Sequence, residues 1–195
     1  MNHQLIQESI SKHITLNEEE FFVFLSHLKK TQIPRKSLLL NQGQLCENIY
    51  FVESGALRAF YLDESGKEAT IMFAIKDWWV TDMYCFINQK PAMLTIEAIE
   101  NSIIYQLKKN DLDHLYVAIP QFEKLFRILM QNAYIREQLR VIQNLSLSAE
   151  ARYKIFVGKY PDVAKKVKQK QIASYLGITP EFLSMIKHNK GKGLK

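Results

Sequence analysis

Polar and charged side chains are concentrated near the carboxyl end of the chain, between residues 169 and 190. Glu181 can accept a hydrogen bond from a cytosine amino group, and Phe182 or Met185 can contact a thymine methyl group. Lys187 and the neighbouring lysines, including Lys190, can pair with phosphates. Such groups recognise a nucleic-acid duplex without making or breaking bonds. The candidate contact residues are Gln169, Lys170, Gln171, Thr179, Pro180, Glu181, Phe182, Ser184, Met185, Lys187 and His188.

The elements that must position these side chains are two short helices joined by a tight turn. Gly177 suits the left-handed end of the first helix, and Ile178 fills the turn. Thr179 can cap the second helix, and Pro180 suits its first position. This layout is typical of a DNA-binding helix-turn-helix, whose second helix enters the major groove. An ordinary helical hairpin is the alternative. The apolar positions are Ile172, Ala173, Leu176, Leu183 and Ile186.

The charge distribution agrees with a DNA partner. The 195 residues carry a formal charge of +6. Residues 148–195 contain 11 Lys and Arg against 3 Asp and Glu, a net charge of +8, whereas residues 1–147 have a net charge of −2. A basic segment on a near-neutral body is the pattern expected for phosphate contacts, although a solvated lysine-rich face would give the same count.

Several classes of protein are disfavoured by composition. The two cysteines, Cys46 and Cys85, lack metal-ligand spacing and form no disulfide framework, which indicates a reduced compartment. No run of 18 apolar residues and no signal peptide are present, so we expect a cytoplasmic protein without a membrane partner. We find no nucleophile–base spacing, phosphate loop or metal-ligand set, and therefore expect neither an enzyme nor a cofactor.

The hydrophobic pattern divides the chain into helical and β segments. Residues 3–30 are predicted helical, with a cap at Asn17. Short strands follow at 37–40, 48–52, 57–62, 68–74 and 94–107, separated by glycine-containing turns. Such strands predict a small barrel or jelly roll. Helices are then predicted at 110–119, from Pro120 to about 145, and at 149–160, with a linker at 161–167.

The long helix carries an apolar stripe with alternating spacings of three and four residues. This heptad pattern predicts a dimer seam, and a polar residue at an a position such as Asn132 would fix its register. Packing of the stripe against the chain's own barrel is the alternative. The seam residues are Leu125, Ile128, Asn132, Ile135, Leu139 and Ile142.

Three phrases resemble the Crp/Fnr family of bacterial transcription regulators: NIYFVESGALR at 48–58, DESGKEATIMF at 63–73 and QIASYLGITPEFLSMIK at 171–187. The resemblance implies an α+β fold with a jelly-roll barrel of the cyclic-nucleotide-binding type at 1–119. A dimerisation helix follows at 120–147, and a helix-turn-helix domain with a reduced or absent wing at 148–195. It implies a homodimeric regulator that binds double-stranded DNA, with RNA polymerase and an unidentified small-molecule effector as further candidate partners.

Departures from the family bear on the effector. Cyclic-AMP-binding members carry a Gly-Glu pair and, about ten residues later, an Arg that neutralises the phosphate; here these positions hold Thr81-Asp82 and Ala92-Met93. Neither Ala nor Met can make a charge-assisted contact, and Asp82 would repel a phosphate. We therefore expect no useful binding of cyclic AMP. The candidate ligand-pocket residues are Thr81, Asp82, Met83, Ala92, Met93 and Thr95.

The recognition helix departs as well. Pro180 and Met185 stand where family members often have guanine-reading arginines, whereas Glu181 is retained. The alternative function is a sensor module that binds a small molecule, such as a cyclic nucleotide, without sequence-specific DNA binding. The net charge of +8 in the last 48 residues argues against this alternative.

Overall fold

A computed structural model describes residues 3–192, with side chains through His188. The chain begins with two helices, α1 (Gln4–Ser11) and α2 (Glu18–Ser26). A capping box stabilises the start of α2. Asn17 Oδ1 accepts a hydrogen bond from the Glu20 amide, and the Glu20 carboxylate accepts one from the Asn17 amide, both at 2.9 Å. The prediction of helix over 3–30 is wrong at its end, since Leu28–Ile33 is a strand, β1, that pairs with the strand Ser102–Lys108.

The strands that follow β1 are β2 (Leu38–Leu40), β3 (Asn48–Ser54), β4 (Ala56–Leu62), β5 (Glu68–Ile75), β6 (Trp79–Val80), β7 (Leu94–Ala98) and β8 (Ser102–Lys108). Across the described residues 3–192, the eight strands form two four-stranded sheets whose pairings are antiparallel, with orders β1-β8-β3-β6 and β2-β7-β4-β5. The predicted run at 94–107 is two strands lying in different sheets, because the chain turns between residues 98 and 102. The short helix α3 (Met83–Asn88) follows β6.

The inner faces of the two sheets form the barrel core. Phe51, Leu57 and Ile104 are fully buried there. The flanking helices contribute rings to the same core, as the Phe24 and Phe122 ring centroids lie 4.9 Å apart. This continuous cluster fixes the barrel and joins the helices on either side of it into one body.

The long helix α5 (Gln121–Ser146) follows α4 (Lys109–Ala118) and has two different halves. Its first turns pack on the barrel, where Phe122, Leu125 and Phe126 are buried. Leu125 is 1% exposed, so its prediction as a seam residue is wrong: this end of the stripe packs on the chain's own barrel. In the second half, Ile135, Leu139 and Ile142 are exposed.

Four helices complete the described chain: α6 (Ala149–Lys159), α7 (Pro161–Lys166), α8 (Gln169–Leu176) and α9 (Pro180–Lys192). The predicted linker at 161–167 is largely α7, which Pro161 begins at a favourable first position. Within residues 3–192, all strands lie between 28 and 108, and no helix is long and apolar enough to span a membrane.

The carboxyl-terminal helices pack on the outer face of the β2-β7-β4-β5 sheet. Phe73 of β5 lies 5.8 Å from the Phe156 ring and 5.3 Å from the Tyr175 ring, measured between centroids. Ser174 of α8 joins the edge of β5, since its Oγ accepts from the Thr70 amide at 2.8 Å and donates to the Glu68 carbonyl at 2.7 Å. An apolar cluster that contains residues of the barrel and of the carboxyl-terminal helices therefore holds α6–α9 against the barrel.

Candidate nucleic-acid interface

The turn between α8 and α9 has the geometry that the sequence predicts. Gly177 adopts φ 65° and ψ 36°, the left-handed conformation that ends a helix. The Ile178 amide donates to the Ala173 carbonyl at 3.0 Å, which closes the turn. At the start of α9, Thr179 Oγ1 accepts from the Phe182 amide at 3.2 Å. The angle between the helices is therefore set by local hydrogen bonds.

A small apolar core holds the two helices together. Ala173 is fully buried, as is Leu183 on the facing helix, so α8 and α9 approach closely at this point. Ile172, Leu176 and Ile186 are also buried around them. On the opposite side of α9, Glu181, Ser184 and Met185 are exposed, so this side is available to a partner.

The exposed side of α9 forms a shallow, open depression together with the first residue of α8. It is lined by six of the predicted contact residues: Gln169, Pro180, Glu181, Ser184, Met185 and His188. Met185 is 48% exposed although it is apolar. A row of carboxylate, hydroxyl, thioether and imidazole groups along one helix can meet base edges in a major groove.

The other predicted contact residues have different positions. Phe182 is 40% exposed, and Lys170 and Lys187 are exposed beside the depression. Gln171 is half-buried. Thr179 is exposed, and its hydroxyl oxygen accepts the capping hydrogen bond, so its first role is structural. The side chain of Lys190 lies outside the described side chains.

Further lysines lie just before α8, where the sequence alone gives only a net positive charge. Lys165 and Lys168 are exposed there, and Lys170, already a predicted contact residue, is exposed in the first turn of α8. Lys166 instead pairs with Glu100 of the barrel at 2.7 Å, and this hydrogen bond raises the pKa of Lys166. The amino-terminal side of α8 therefore presents ammonium groups where a phosphate backbone would pass a helix-turn-helix.

The barrel pocket region is organised by the Asp82 carboxylate, which is 3% exposed. Its Oδ2 accepts from the amides of Met93 at 2.7 Å and Leu94 at 2.9 Å. Its Oδ1 accepts from the Cys85 amide at 3.4 Å and caps α3. The carboxylate thus lies on the amides that follow Ala92, and a second anion at these amides would have to displace it.

The remaining predicted pocket residues are divided between this region and the walls around it. Thr81 Oγ1 donates to the Asn48 carbonyl at 2.8 Å. Thr95 Oγ1 accepts from the Gln42 amide at 3.2 Å. Ala92 is buried, whereas Met93 is 47% exposed. The hydroxyl groups of Thr81 and Thr95 therefore hold strands and loops together.

A cavity of about 460 Å³ lies between the barrel, α1 and α5. Thr81 and Met83 are the two predicted pocket residues that line it. No sequence pattern places α5 residues in a pocket, yet Asn132 and Arg136 both line this cavity. The Arg136 guanidinium lies 4.9 Å from the centre of the Trp78 ring. Only the tertiary packing of α5 on β6 brings these groups together.

The predicted seam residues divide along α5. Leu125 belongs to the barrel core, and Ile128 is half-buried. Asn132 is exposed, as are the three apolar residues that follow at seam spacing. Leu145, at 82% exposure, continues the apolar surface to the end of the helix. The unpaired part of the stripe thus begins near residue 132.

Comparison with known proteins adds independent observations. Residues 30–118 match the family described as the cyclic nucleotide-binding domain. The anaerobic regulatory protein of Pasteurella multocida is 23% identical over 184 residues, covering 88% of this chain and 67% of that protein. The transcriptional activator protein Anr of Pseudomonas protegens is 23% identical over 187 residues, covering 89% and 75% respectively.

One solved structure extends the similarity to the fold. A protein from Eubacterium rectale assigned to the Crp/Fnr family of transcriptional regulators superposes with a TM-score of 0.73 at 18% identity, covering 92% of this chain and 86% of that chain. The barrel, the long helix and the carboxyl-terminal helices therefore share the arrangement of that structure.

Proposed function

Given that this chain belongs to the Crp/Fnr family of transcriptional regulators, we propose that it binds a pseudo-palindromic DNA site as a homodimer, through the exposed face of α9. The observation that carries the proposal is the depression that Gln169, Glu181, Ser184, Met185 and His188 line on an otherwise well-packed helix pair. Two such helices, related by a dimer axis, would read half-sites about one helical turn apart, roughly 10 base pairs.

Glu181 is proposed as the main direct reader of a base. Its carboxylate lies in the first turn of α9, exposed, with Ser184 and Met185 one turn further along the same face. A carboxylate accepts from the amino group of cytosine, and a thioether can contact the methyl group of thymine. The site has no arginine at these positions, so we expect weaker discrimination for guanine than an Arg–guanine pair gives.

Most of the affinity is proposed to come from phosphate contacts. Lys165, Lys168 and Lys170 approach from the amino-terminal side of α8, and Lys187 lies on α9. Ammonium groups on phosphates release counterions and are blind to sequence, so they govern affinity and its dependence on salt. Lys166 is less available because Glu100 holds it.

The wider organisation is proposed to follow the family. Residues 1–119 form the sensor-type domain, 120–147 the dimerisation helix and 148–195 the DNA-binding domain. In the dimer, the exposed residues Ile135, Leu139 and Ile142 meet their counterparts on a second α5, with Asn132 setting the register. The protein would act in the cytoplasm, with RNA polymerase as a further partner.

The effector is proposed to be something other than cyclic AMP. The Asp82 carboxylate already accepts hydrogen bonds from the amides of Met93 and Leu94, and no arginine stands at Ala92 or Met93 to neutralise a phosphate. An anionic ligand at this point would meet a buried like charge. The cavity between the barrel and α5 is the better candidate for an uncharged effector, because apolar side chains such as Trp79 and Leu129 line it.

Selection from a random duplex pool tests the proposed function. The full-length protein should enrich a sequence with two-fold symmetry and half-sites centred about 10 base pairs apart. Anisotropy titrations should then show tighter binding to this site than to a scrambled duplex, with both affinities falling as salt rises. Enrichment of no motif, together with equal affinities for the two duplexes, would contradict sequence-specific binding.

A further inference from the structure

A second cavity, of about 220 Å³, lies where α5, α6 and α8 meet, away from the exposed face of α9. It shares Asn132 and Arg136 with the 460 Å³ cavity beside the barrel. Four of the side chains that line it are cationic: Arg136, Arg140, Arg152 and Lys159. Of the described residues that line it, none is a carboxylate. Four cations around one small cavity repel one another, and an anion placed between them would offset this repulsion.

A neighbouring carboxylate offsets part of this charge. Glu137 lies 3.4 Å from Arg136 Nε and 3.5 Å from one terminal nitrogen of Arg140, and it is 44% exposed. It does not line the cavity itself. One carboxylate against four cations leaves a net charge of +3 around the cavity.

Two of the arginines retain buried donors without partners in the described structure. Arg140 donates through its terminal nitrogens to the carbonyls of Thr70 and Ile71, and Arg152 donates to Asn144. The Nε atoms of both arginines are buried, and neither has a hydrogen-bond partner among the described residues. A buried N–H of a charged group without an acceptor is costly, which adds to the cost of holding these cations together in the absence of an anion.

The surroundings of the cavity also shift the pKa of Lys159. Partial removal from water lowers its pKa, and the neighbouring charge of Arg136 lowers it further. Its ammonium also lies 5.7 Å from the centre of the Trp78 ring. A negative ligand in the cavity would favour the charged form of this lysine.

We infer that this cavity is a binding site for a compact oxyanion carrying two or more negative charges, of the kind represented by pyrophosphate or a tricarboxylate. Its volume of about 220 Å³ lies below the ~300–1,000 Å³ of pockets for drug-sized ligands, which favours a compact anion. Guanidinium groups are well suited to the bidentate recognition of phosphate and carboxylate oxygens.

A bound anion would add a common ionic contact to three parts of the molecule. Arg136 and Arg140 belong to the long helix, Arg152 and Lys159 to α6, and Tyr175, beside the Arg140 guanidinium at 4.6 Å, to the first helix of the helix-turn-helix. Binding would therefore stabilise the packing of the carboxyl-terminal helices on α5. This inference concerns ligand binding and does not depend on DNA recognition.

Isothermal titration of the full-length protein with pyrophosphate and, separately, with citrate tests the inference, using sodium chloride at matched ionic strength as the blank. At least one anion should bind saturably, one per chain, and raise the melting temperature. The stronger of the two identifies whether phosphate or carboxylate oxygens are preferred. No saturable heat from either anion up to about 10 mM would overturn the inference, because four cations converging on one cavity should bind a polyvalent anion more tightly than a single exposed lysine does.

Two substitutions on α6 make a matched pair. Lys159→Gln should weaken anion binding about tenfold or more, because it removes a charge-assisted contact. Lys154 is an exposed lysine outside the cavity, so Lys154→Gln should change the anion affinity less than about twofold. Lys159→Arg should retain binding, and circular dichroism checks that each variant is folded. Equal losses in the two Gln variants would mean general attraction to a basic region and would refute the site.

A second copy of the chain could fill the cavity instead, since Ile135 and Leu139 also line it. Titration of an Ile142→Glu variant, designed to weaken the dimer at a residue outside the cavity lining, separates the two cases. The native dimer should bind the anion. Binding seen with a monomeric Ile142→Glu variant and not with the native dimer would show that a partner side chain occupies the site, and would overturn the inference.

Discussion

Replacement of Leu139 by Glu should dissociate the dimer. Ile135, Leu139 and Ile142 are 52%, 51% and 52% exposed in the single chain. Complete burial of such a side chain contributes about 1.5–3 kcal/mol, so the half that is still exposed leaves roughly 0.8–1.5 kcal/mol for association. Three residues from each protomer together contribute about 5–9 kcal/mol of favourable burial free energy, before the entropic cost of association is subtracted.

The substitution removes two of these six contributions, about 1.5–3 kcal/mol, and brings two carboxylates to the seam. Burying unpaired charges costs several kcal/mol more. We expect a net loss of at least about 4 kcal/mol, which raises the dimer dissociation constant about a thousandfold. Light scattering over a concentration series measures this change.

Val117→Glu is the matched control, because Val117 is an apolar residue of α4 that is 85% exposed and lies off the proposed seam. This variant should remain dimeric. A Leu139→Glu protein with an unchanged dimer mass, at concentrations where the Val117→Glu protein is also dimeric, would refute the seam and the burial estimate together.

Three further predictions concern the barrel. Calorimetry with cyclic AMP or cyclic GMP at millimolar ligand should show no saturable heat, and a dissociation constant in the low micromolar range would contradict this. Gly55→Ala should lower the free energy of unfolding in urea by about 2–5 kcal/mol, because a Cβ at this left-handed residue would lie 2.7 Å from Ser102 Cβ. Gly66 is also left-handed but its Cβ position is open, so Gly66→Ala should lower the free energy of unfolding by only about 1–2 kcal/mol. Equal losses of stability in the two variants would contradict the packing argument. Finally, burial raises the pKa of both the Cys46 and Cys85 thiols, so neither should react with an aromatic disulfide reagent at pH 8 until urea unfolds the protein, and rapid reaction of the native protein would show that the thiols are accessible.

The helix-turn-helix was predictable from the sequence because its signals are local. Gly177, Thr179 and Pro180 each act on the backbone within four residues, through a left-handed turn, a cap and a first helical position. The short strands β3, β4 and β5 were predicted for the same reason, since glycine-containing turns separate them. Their neighbours β1 and β6 gave no such signal: β1 is defined by its pairing with β8, and β6 is two residues long.

Long-range contacts account for the features that sequence reasoning missed. The spacing of apolar residues on α5 is continuous, so it cannot show that Leu125 faces the barrel while Leu139 is exposed. The sequence identifies Asp82 as a charge that repels phosphate, but nothing in its neighbourhood indicates that its carboxylate accepts hydrogen bonds from amides 11 and 12 residues away. The cationic cavity likewise depends on how α6 and α8 pack on α5.

The central claim is that α9 recognises DNA, with Glu181 reading a base and Lys187 contacting phosphate. The most direct test is a salt series of anisotropy titrations of Glu181→Ala and Lys187→Ala on the selected duplex and on a scrambled one. Glu181→Ala should cost about 1–3 kcal/mol on the selected site alone and relax the preference at one base pair.

Lys187→Ala should weaken binding to both duplexes alike and reduce the salt slope by about one unit. That combination, one variant losing specificity and the other losing affinity for every sequence, is the result that the structure predicts. Identical behaviour of the two variants on both duplexes would contradict the role of Glu181, and unchanged binding by both would contradict the placement of α9 in the groove.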